Sequence, residues 1–356
     1  MKNLNRYQKF FQEVVEEHQE GRPSDFNSRI LIFDGLNTFI RVFSAVPALN
    51  DDGDHIGGVT GFLRSIGSVV RQLKPTRVII CFDGKGGSKR RKKIFPNYKA
   101  NRAVKTKFNR YQEFATKEDE SDSMRKQFGR LIQYLNCLPV TLLAVDNVEA
   151  DDVIAYIANE VYTDPSQKVQ IVSTDRDFLQ LVNNRISVWS PIKKKMYTPD
   201  VIQEEFGINA SNYLLYRTFI GDTSDNIPGV KGVALKSLVK FFPMITENRE
   251  ISLNEIIDHA SVEANVGRYK IYKSVLESKD QADLNYNLMQ LKEVDMAGAI
   301  KMMVHDKAKE PVAKLNILEF KKMFMQDKMY SVIKDLDSWL TTSFNTLNAY
   351  IQMRKD

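Results

Sequence analysis

Four short apolar runs, at residues 30–33, 78–82, 140–145 and 169–172, alternate along the chain with stretches whose apolar residues recur at helical spacing. Short, mostly apolar runs of this length suit strands buried on both faces, and their alternation with helices predicts a mainly parallel α/β sheet. Val59, Phe62, Leu63, Ile66, Val69, Val70 and Leu73 mark one face of the first long helix; Phe128, Leu131, Ile132 and Leu135 mark another. A further helix starts near Glu149, and Thr198-Pro199-Asp200 opens one with an N-cap and a first-turn proline. Beyond Pro191 the strand signal fades. Residues 212–245 read as short helices around a glycine-containing hairpin, and 250–356 as largely helical, clearest over 315–339. Upstream, Tyr7, Phe10, Phe11, Val14 and Val15 predict an added helix and linker over 1–28.

The first, second and fourth runs end at Asp34, Asp83 and Asp175, and the third leads into Glu149-Ala150-Asp151-Asp152. In an open parallel sheet the carboxyl ends of the strands share one edge, where ligands bind. Carboxylates at a helix start have a plainer explanation in the helix dipole, which covers one or two of these acids but not three separate strand ends. Asp177 follows Asp175 by two residues, and Asp222 and Asp225 stand three apart in a further loop, a place where single aspartates usually cap turns. Two carboxylates 4 Å apart repel by about 4 kcal/mol at an effective dielectric of 20. Nine on one edge call for cations. An all-oxygen set without histidine or cysteine selects Mg²⁺, with Mn²⁺ as a substitute, and a pair of such ions suits phosphodiester hydrolysis.

The 356 residues carry a net charge of +6, distributed unevenly. Residues 85–110 contain eleven basic residues and no acid, so this segment contributes +11 and the other 330 residues −5. A dense basic segment beside a mildly acidic body points to nucleic acid, the alternative being a solvated tail. Apolar residues at 43% and charged residues at 27% describe a globular chain. No run approaches the length of a membrane span and no export signal is evident, so a cytoplasmic protein without a membrane partner is expected. Two cysteines cannot build a disulfide framework.

Taken together, Asp34 in Ile32-Phe33-Asp34-Gly35, Phe82-Asp83, Glu149-Ala150-Asp151-Asp152, Ser173-Thr174-Asp175-Arg176-Asp177 and the run from Gly221 to Val230 resemble, in order and spacing, the 5′-nuclease (flap endonuclease) superfamily. Within it, Val188-Trp189-Ser190-Pro191, the three lysines that follow and the helical C-terminal region are most similar to the ribonuclease H branch of T-even-like bacteriophages. The resemblance covers about residues 29–240. It implies a PIN-like 5′-nuclease fold with a nuclease domain over 29–190, a basic arch near 85–125, a helix-hairpin-helix module over 191–250 and a helical region over 251–356. It also implies a metal-dependent 5′→3′ exonuclease and flap or primer nuclease, with two Mg²⁺ ions held among Asp34, Asp83, Glu149, Asp151, Asp152, Asp175, Asp177, Asp222 and Asp225. Asp151, Asp152 and Asp175 are the acids first expected to be catalytic.

The same resemblance gives the basic segment its roles. Tyr98-Lys99-Ala100-Asn101-Arg102 is similar to the family's Tyr-Lys-x-x-Arg element, so Lys99 would contact the scissile phosphate and Arg102 would assist. Arg90 or Arg91 matches an upstream arginine, and Lys89, Arg90, Arg91, Lys92 and Lys93 would grip a single-stranded 5′ end. Tyr98 would stack on a terminal base, against the plainer reading that it packs internally. Gly229, Val230, Lys231, Gly232 and Lys236 look like the hairpin of a helix-hairpin-helix, whose backbone N–H groups hold phosphates, with K⁺ a further occupant in the family. Expected partners are RNA–DNA hybrid, nicked and 5′-flapped duplex, and a single-stranded-DNA-binding protein, the enzyme itself being a monomer. No polymerase region or sliding-clamp peptide is evident, which suggests a free-standing nuclease. A nucleic-acid binding protein with decayed acids and a single-strand ribonuclease of the PIN type are the competing readings; the complete acid set opposes the first and the glycine hairpin the second.

Overall fold

The computed structural model describes residues 27–101, 108–267 and 269–351. The expected N-terminal helix and Arg102 therefore lie outside the described residues. The chain begins with β1 (Arg29–Asp34), α1 (Gly35–Ala45), α2 (Gly57–Leu73), β2 (Arg77–Asp83), α3 (Lys89–Ile94), α4 (Lys117–Asn136), β3 (Thr141–Val145) and α5 (Ala150–Tyr156). β4 (Lys168–Val172), β5 (Ile186–Ser190) and β6 (Lys195–Tyr197) complete the sheet. The rest is helical: α6 (Pro199–Phe206), α7 (Tyr213–Ile220), α8 (Leu235–Phe241), α9 (Leu253–Val266), α10 (Lys270–Glu277), α11 (Lys279–Met289), α12 (Gly298–Lys309), α13 (Ile317–Gln326) and α14 (Leu336–Asn348).

The strand order is β3-β2-β1-β4-β5-β6, parallel except for β6, which runs antiparallel to β5. The chain winds outward from β1 in one direction and then, at β4, in the other. The carboxyl ends of β1 and β4 thus flank a topological switch point, where the crossovers diverge and leave a crevice. Alternate residues of each strand enter opposite cores. Ile30, Ile32, Ile79, Cys81 and Ile171 join α5, α7 and the helices out to Ala308. Leu31, Phe33, Val78, Ile80, Phe82 and Val172 face the other way, onto α1, α2, α4, α13 and α14. One sheet therefore serves two cores, and the C-terminal helices close the second.

β1, β2 and β4 form where the apolar runs place them, and β3 follows the third run one residue late. β5 and β6 were not expected as strands. β6 has three residues, one of them a lysine, which is too short for any periodic signal. The helical region expected over 315–339 is split between α13 and the start of α14. α13 stops at Gln326, where Lys328 adopts a left-handed φ of 51° and Arg130 and Tyr134 hold the Asp327 carboxylate. Among the described residues no helix is long and apolar enough to cross a membrane.

Candidate active site

Asp34 ends β1 and caps α1, one carboxylate oxygen accepting from the Asn37 N–H at 3.2 Å and the other from the Ser173 hydroxyl at 2.9 Å. Burial, with repulsion from Asp175 and Asp83 added, pushes its carboxyl up to about 7 against those hydrogen bonds. Asp175 follows β4 across the switch point; its Oδ1 accepts from the Asp177 N–H at 2.9 Å. Burial raises its pKa, as do Asp225 and Asp222, while the Asp177 amide and Arg217 oppose the shift. At the start of α5, Asp151 is raised well above the carboxylate range by burial and by Asp175 and Asp34, Lys99 pulling the other way. Asp177 is likewise pushed up to about 7 by burial and Asp175. Asp83 is exposed at the end of β2 and accepts from the Ala150 N–H at 2.9 Å, which ties β2 to the start of α5.

Three cations thread this acidic edge. Lys99 donates to Glu149 at 2.5 Å and lies 3.8 Å from an Asp225 oxygen. Its backbone is left-handed, with φ 58°, and its N–H donates to the Asp225 carbonyl at 2.9 Å. Burial alone would lower the Lys99 pKa, but Asp151, Asp225 and Glu149 raise it, so the ammonium persists at neutral pH. Arg217, in the middle of the apolar helix α7, spans Asp177 at 2.7 Å and Asp222 at 2.5 Å. Although burial opposes it, the Ser224 hydroxyl and Arg217 hold Asp222 below its ordinary value. Arg91 bonds Asp152 through two contacts of 2.8 and 2.7 Å, and also Glu149 and the Leu288 carbonyl. Glu149 is held low by Arg91 and Lys99 despite its burial.

The Asp222–Asp225 loop is itself rigid. Asp222 and Ile227 exchange backbone hydrogen bonds of 2.9 and 2.7 Å, and Asn226 Nδ2 donates to the Asn97 carbonyl, so the loop and the Lys99 turn brace each other. Gly221 has φ 73°, and a Cβ there would stand 2.5 Å from the Gly229 nitrogen; only glycine fits.

The structure thus gathers Asp34, Asp151, Asp175, Asp177, Asp222, Asp225 and Lys99, with Asp83 and Glu149 alongside. Asp152 is drawn instead to Arg91. Arg91 is only 5% exposed, which removes it from the expected nucleic-acid surface. Tyr98 is corrected likewise: at 3% exposed it packs among Leu214, Ile227, Leu288 and Met289 and has no free face for a base. Lys89, Lys92 and Lys93 are exposed on α3, and Arg90 meets Asp295 at 3.1 Å. At the hairpin between α7 and α8, Lys231, Gly232 and Lys236 are exposed, whereas the buried Val230 spends its N–H on the Phe219 carbonyl at 2.7 Å. That correction reflects how tightly the hairpin is fastened to α7.

Sequence reasoning missed Arg217, Ser173 and Asn37, whose side-chain oxygen accepts from the Thr174 hydroxyl at 2.7 Å. A lone arginine inside Tyr-Leu-Leu-Tyr-Arg-Thr-Phe-Ile was the available signal, because a buried cation needs acids close by. Among the described residues no three acidic, histidine or cysteine side chains converge as a ready-made metal cage. The donor set nonetheless suits hard divalent cations: all-oxygen, and forced toward protonation by burial first and by mutual repulsion second.

Residues 29–207 match the family model described as 5′-3′ exonuclease, N-terminal resolvase-like domain. A 5′-3′ exonuclease of Aquifex aeolicus is 27% identical over 313 residues, covering 86% of this chain and 95% of that one. DNA polymerase I of Thermus thermophilus is 32% identical over 213 residues, 60% of this chain but only 23% of the polymerase. The bacteriophage T5 D15 flap endonuclease, solved with DNA and metal ions, superposes with a TM-score of 0.59 at 18% identity, covering 86% of this chain and 100% of that one.

Proposed function

Since the chain belongs to the 5′-3′ exonuclease family, within the 5′-nuclease superfamily, and is a nuclease, we propose that it is a divalent-metal-dependent 5′→3′ exonuclease and flap nuclease acting at the 5′ ends of RNA–DNA or DNA duplexes. The observation that carries this reading is the cluster of buried, mutually repelling carboxylates at the switch point. Asp34, Asp83, Glu149, Asp151, Asp175, Asp177, Asp222 and Asp225 would together hold two Mg²⁺ ions. Such ions supply an activated water and neutralise charge on the reacting phosphate.

The chain's own residues do the rest. Lys99 would exchange Glu149 for a non-bridging oxygen of the scissile phosphate, a role open to a protonated ammonium already at the acidic edge. Arg102 would assist on the same phosphate. Arg217 fixes Asp177 and Asp222 in place, and Arg91 with Asp152 fixes α3 against α5, so Asp152 is a positioning rather than a reacting group. Lys89, Lys92 and Lys93 would hold the 5′ strand, and Lys231, Gly232 and Lys236 the duplex backbone. The relatedness to DNA polymerase I supports primer removal on the lagging strand as the setting.

The test uses 5′-labelled RNA–DNA hybrid, nicked duplex and 5′-flap substrates with Mg²⁺ or EDTA, and the Asp175→Asn variant alongside. Short 5′ products that require Mg²⁺ and vanish in the variant support the proposal. Tight binding of duplex ends without cleavage in any divalent ion would overturn it in favour of a binding protein.

A further inference from the structure

The basic segment leaves the catalytic edge at Asn101, whose side chain donates to the Thr223 carbonyl at 2.7 Å, and re-enters the described fold at Phe108. At that return point four buried polar side chains converge, none of them near the acidic edge: Glu120, Asn109, His55 and Gln127. Glu120 is 4% exposed, and among the described residues its hydrogen bonds include no Lys or Arg partner. Its carboxylate accepts instead from the Phe108 N–H at 3.0 and 3.1 Å and from the Asn109 N–H at 2.6 Å. A buried carboxylate satisfied by peptide amides holds those amides strongly, because freeing either side leaves a desolvated charge.

The other three groups fasten the same point to α1 and α2. Asn109 Nδ2 donates to the Phe43 carbonyl at 2.6 Å, the Ser44 hydroxyl donates to the Phe108 carbonyl at 2.5 Å, and the Arg110 N–H donates to the Ser44 carbonyl at 3.0 Å. Gln127 Oε1 accepts from the Gly58 N–H at 2.8 Å, and its amide lies 3.1 Å from His55 Nδ1, leaving His55 Nε2 to donate to the Val46 carbonyl at 3.1 Å. Phe43, His55 and Phe114 pack ring to ring around the group.

We propose that Glu120 is a positioning residue for substrate capture: by clamping the Phe108 and Asn109 amides to α4, beside the end of α1 that Asn109, Ser44 and Arg110 hold, it sets where the basic segment returns to the nuclease body. α1 starts at Asp34 and ends at this clamp, so one rigid helix relates the return point to the acidic edge. Six residues join Asn101 to Phe108, and both of these anchors are tied down. Loss of the clamp therefore changes how the 5′ strand is held without touching an acid or Lys99. This inference rests on the nuclease reading above.

The test compares Glu120→Ala and Glu120→Gln with the wild type on a 5′-flap duplex in Mg²⁺, alongside limited trypsin digestion. Glu120→Ala should raise KM about tenfold with kcat changed much less, and should speed tryptic cleavage within residues 99–110. Glu120→Gln, which keeps an oxygen acceptor, should restore part of both. A global structural defect would instead lower kcat and KM-normalised activity together and speed digestion throughout the chain. Unchanged KM and an unchanged tryptic pattern in Glu120→Ala, with the wild type active, would overturn the inference. Failure of the wild type to cleave would count against the nuclease reading instead, while the digestion pattern would still report on the clamp.

Discussion

Replacing Arg91 by glutamine removes the cation that spans Glu149 and Asp152 while keeping a polar side chain of similar reach. Both acids and the arginine are almost fully buried, with side-chain exposures of 6% for Arg91, 3% for Glu149 and 7% for Asp152. Glu149 retains Lys99 at 2.5 Å, so the charge stranded by the substitution is that of Asp152. Removing one partner of a buried ion pair costs about 3–5 kcal/mol, because the remaining charge is desolvated without compensation. The lost bond from Arg91 Nε to the Leu288 carbonyl at 2.9 Å adds about 1 kcal/mol. Urea unfolding followed by circular dichroism should therefore show Arg91→Gln about 4–6 kcal/mol less stable than the wild type. Adding Asp152→Asn to that variant should recover more than half of the loss. A loss below about 1 kcal/mol, or no recovery in the double variant, would refute the argument that Arg91 holds α3 to α5 through charge.

Three further outcomes follow. Asp34 and Asp177 titrate at about 7 in the fold against 3.8 unfolded, so metal-free protein binds more protons folded than unfolded between those values and loses stability as pH rises from 4 to 8. In EDTA the unfolding free energy should fall over that window by up to about 4 kcal/mol per group if they acted independently, read as a falling melting temperature, and Mg²⁺ should restore it at pH 8 but not at pH 5. Lys99→Ala should lower single-turnover cleavage about 10²–10³-fold with duplex binding kept; a loss of binding alone would contradict the assigned role. Lys231→Ala and Lys236→Ala should weaken binding across sequences and each reduce the slope of log K against log salt by about 1, measured by fluorescence anisotropy.

Much of this architecture is written in local sequence. β1, β2 and β4 lie inside the sheet, so both faces of each are apolar and the runs stand out. The acids are legible for a related reason: a strand that must end at the catalytic edge carries its carboxylate as its last residue, as at Asp34 and Asp83, or a few residues on, as at Asp175. The partners that bind those acids are not local. Arg217 reaches Asp177 from forty residues away, and nothing in a helix sequence says which neighbour its arginine will meet. Arg91 illustrates the same limit. In Lys89-Arg90-Arg91-Lys92-Lys93 all five residues carry the same charge, and only the turn of a six-residue helix directs one of them inward. Tyr98 is buried because α7, α11 and the 222–227 loop close over it, a tertiary event with no periodic signature.

The most direct test of the account follows single-turnover cleavage of a 5′-flapped duplex while Mg²⁺ is titrated into metal-free enzyme, for the wild type and Asp175→Asn. The account predicts no cleavage in EDTA, a rate that rises with Mg²⁺ in the wild type, and a rate in Asp175→Asn that stays near background at every concentration. Cleavage that persists in EDTA, or that survives Asp175→Asn at ordinary Mg²⁺, would contradict the claim that the buried carboxylates form the metal-dependent catalytic centre.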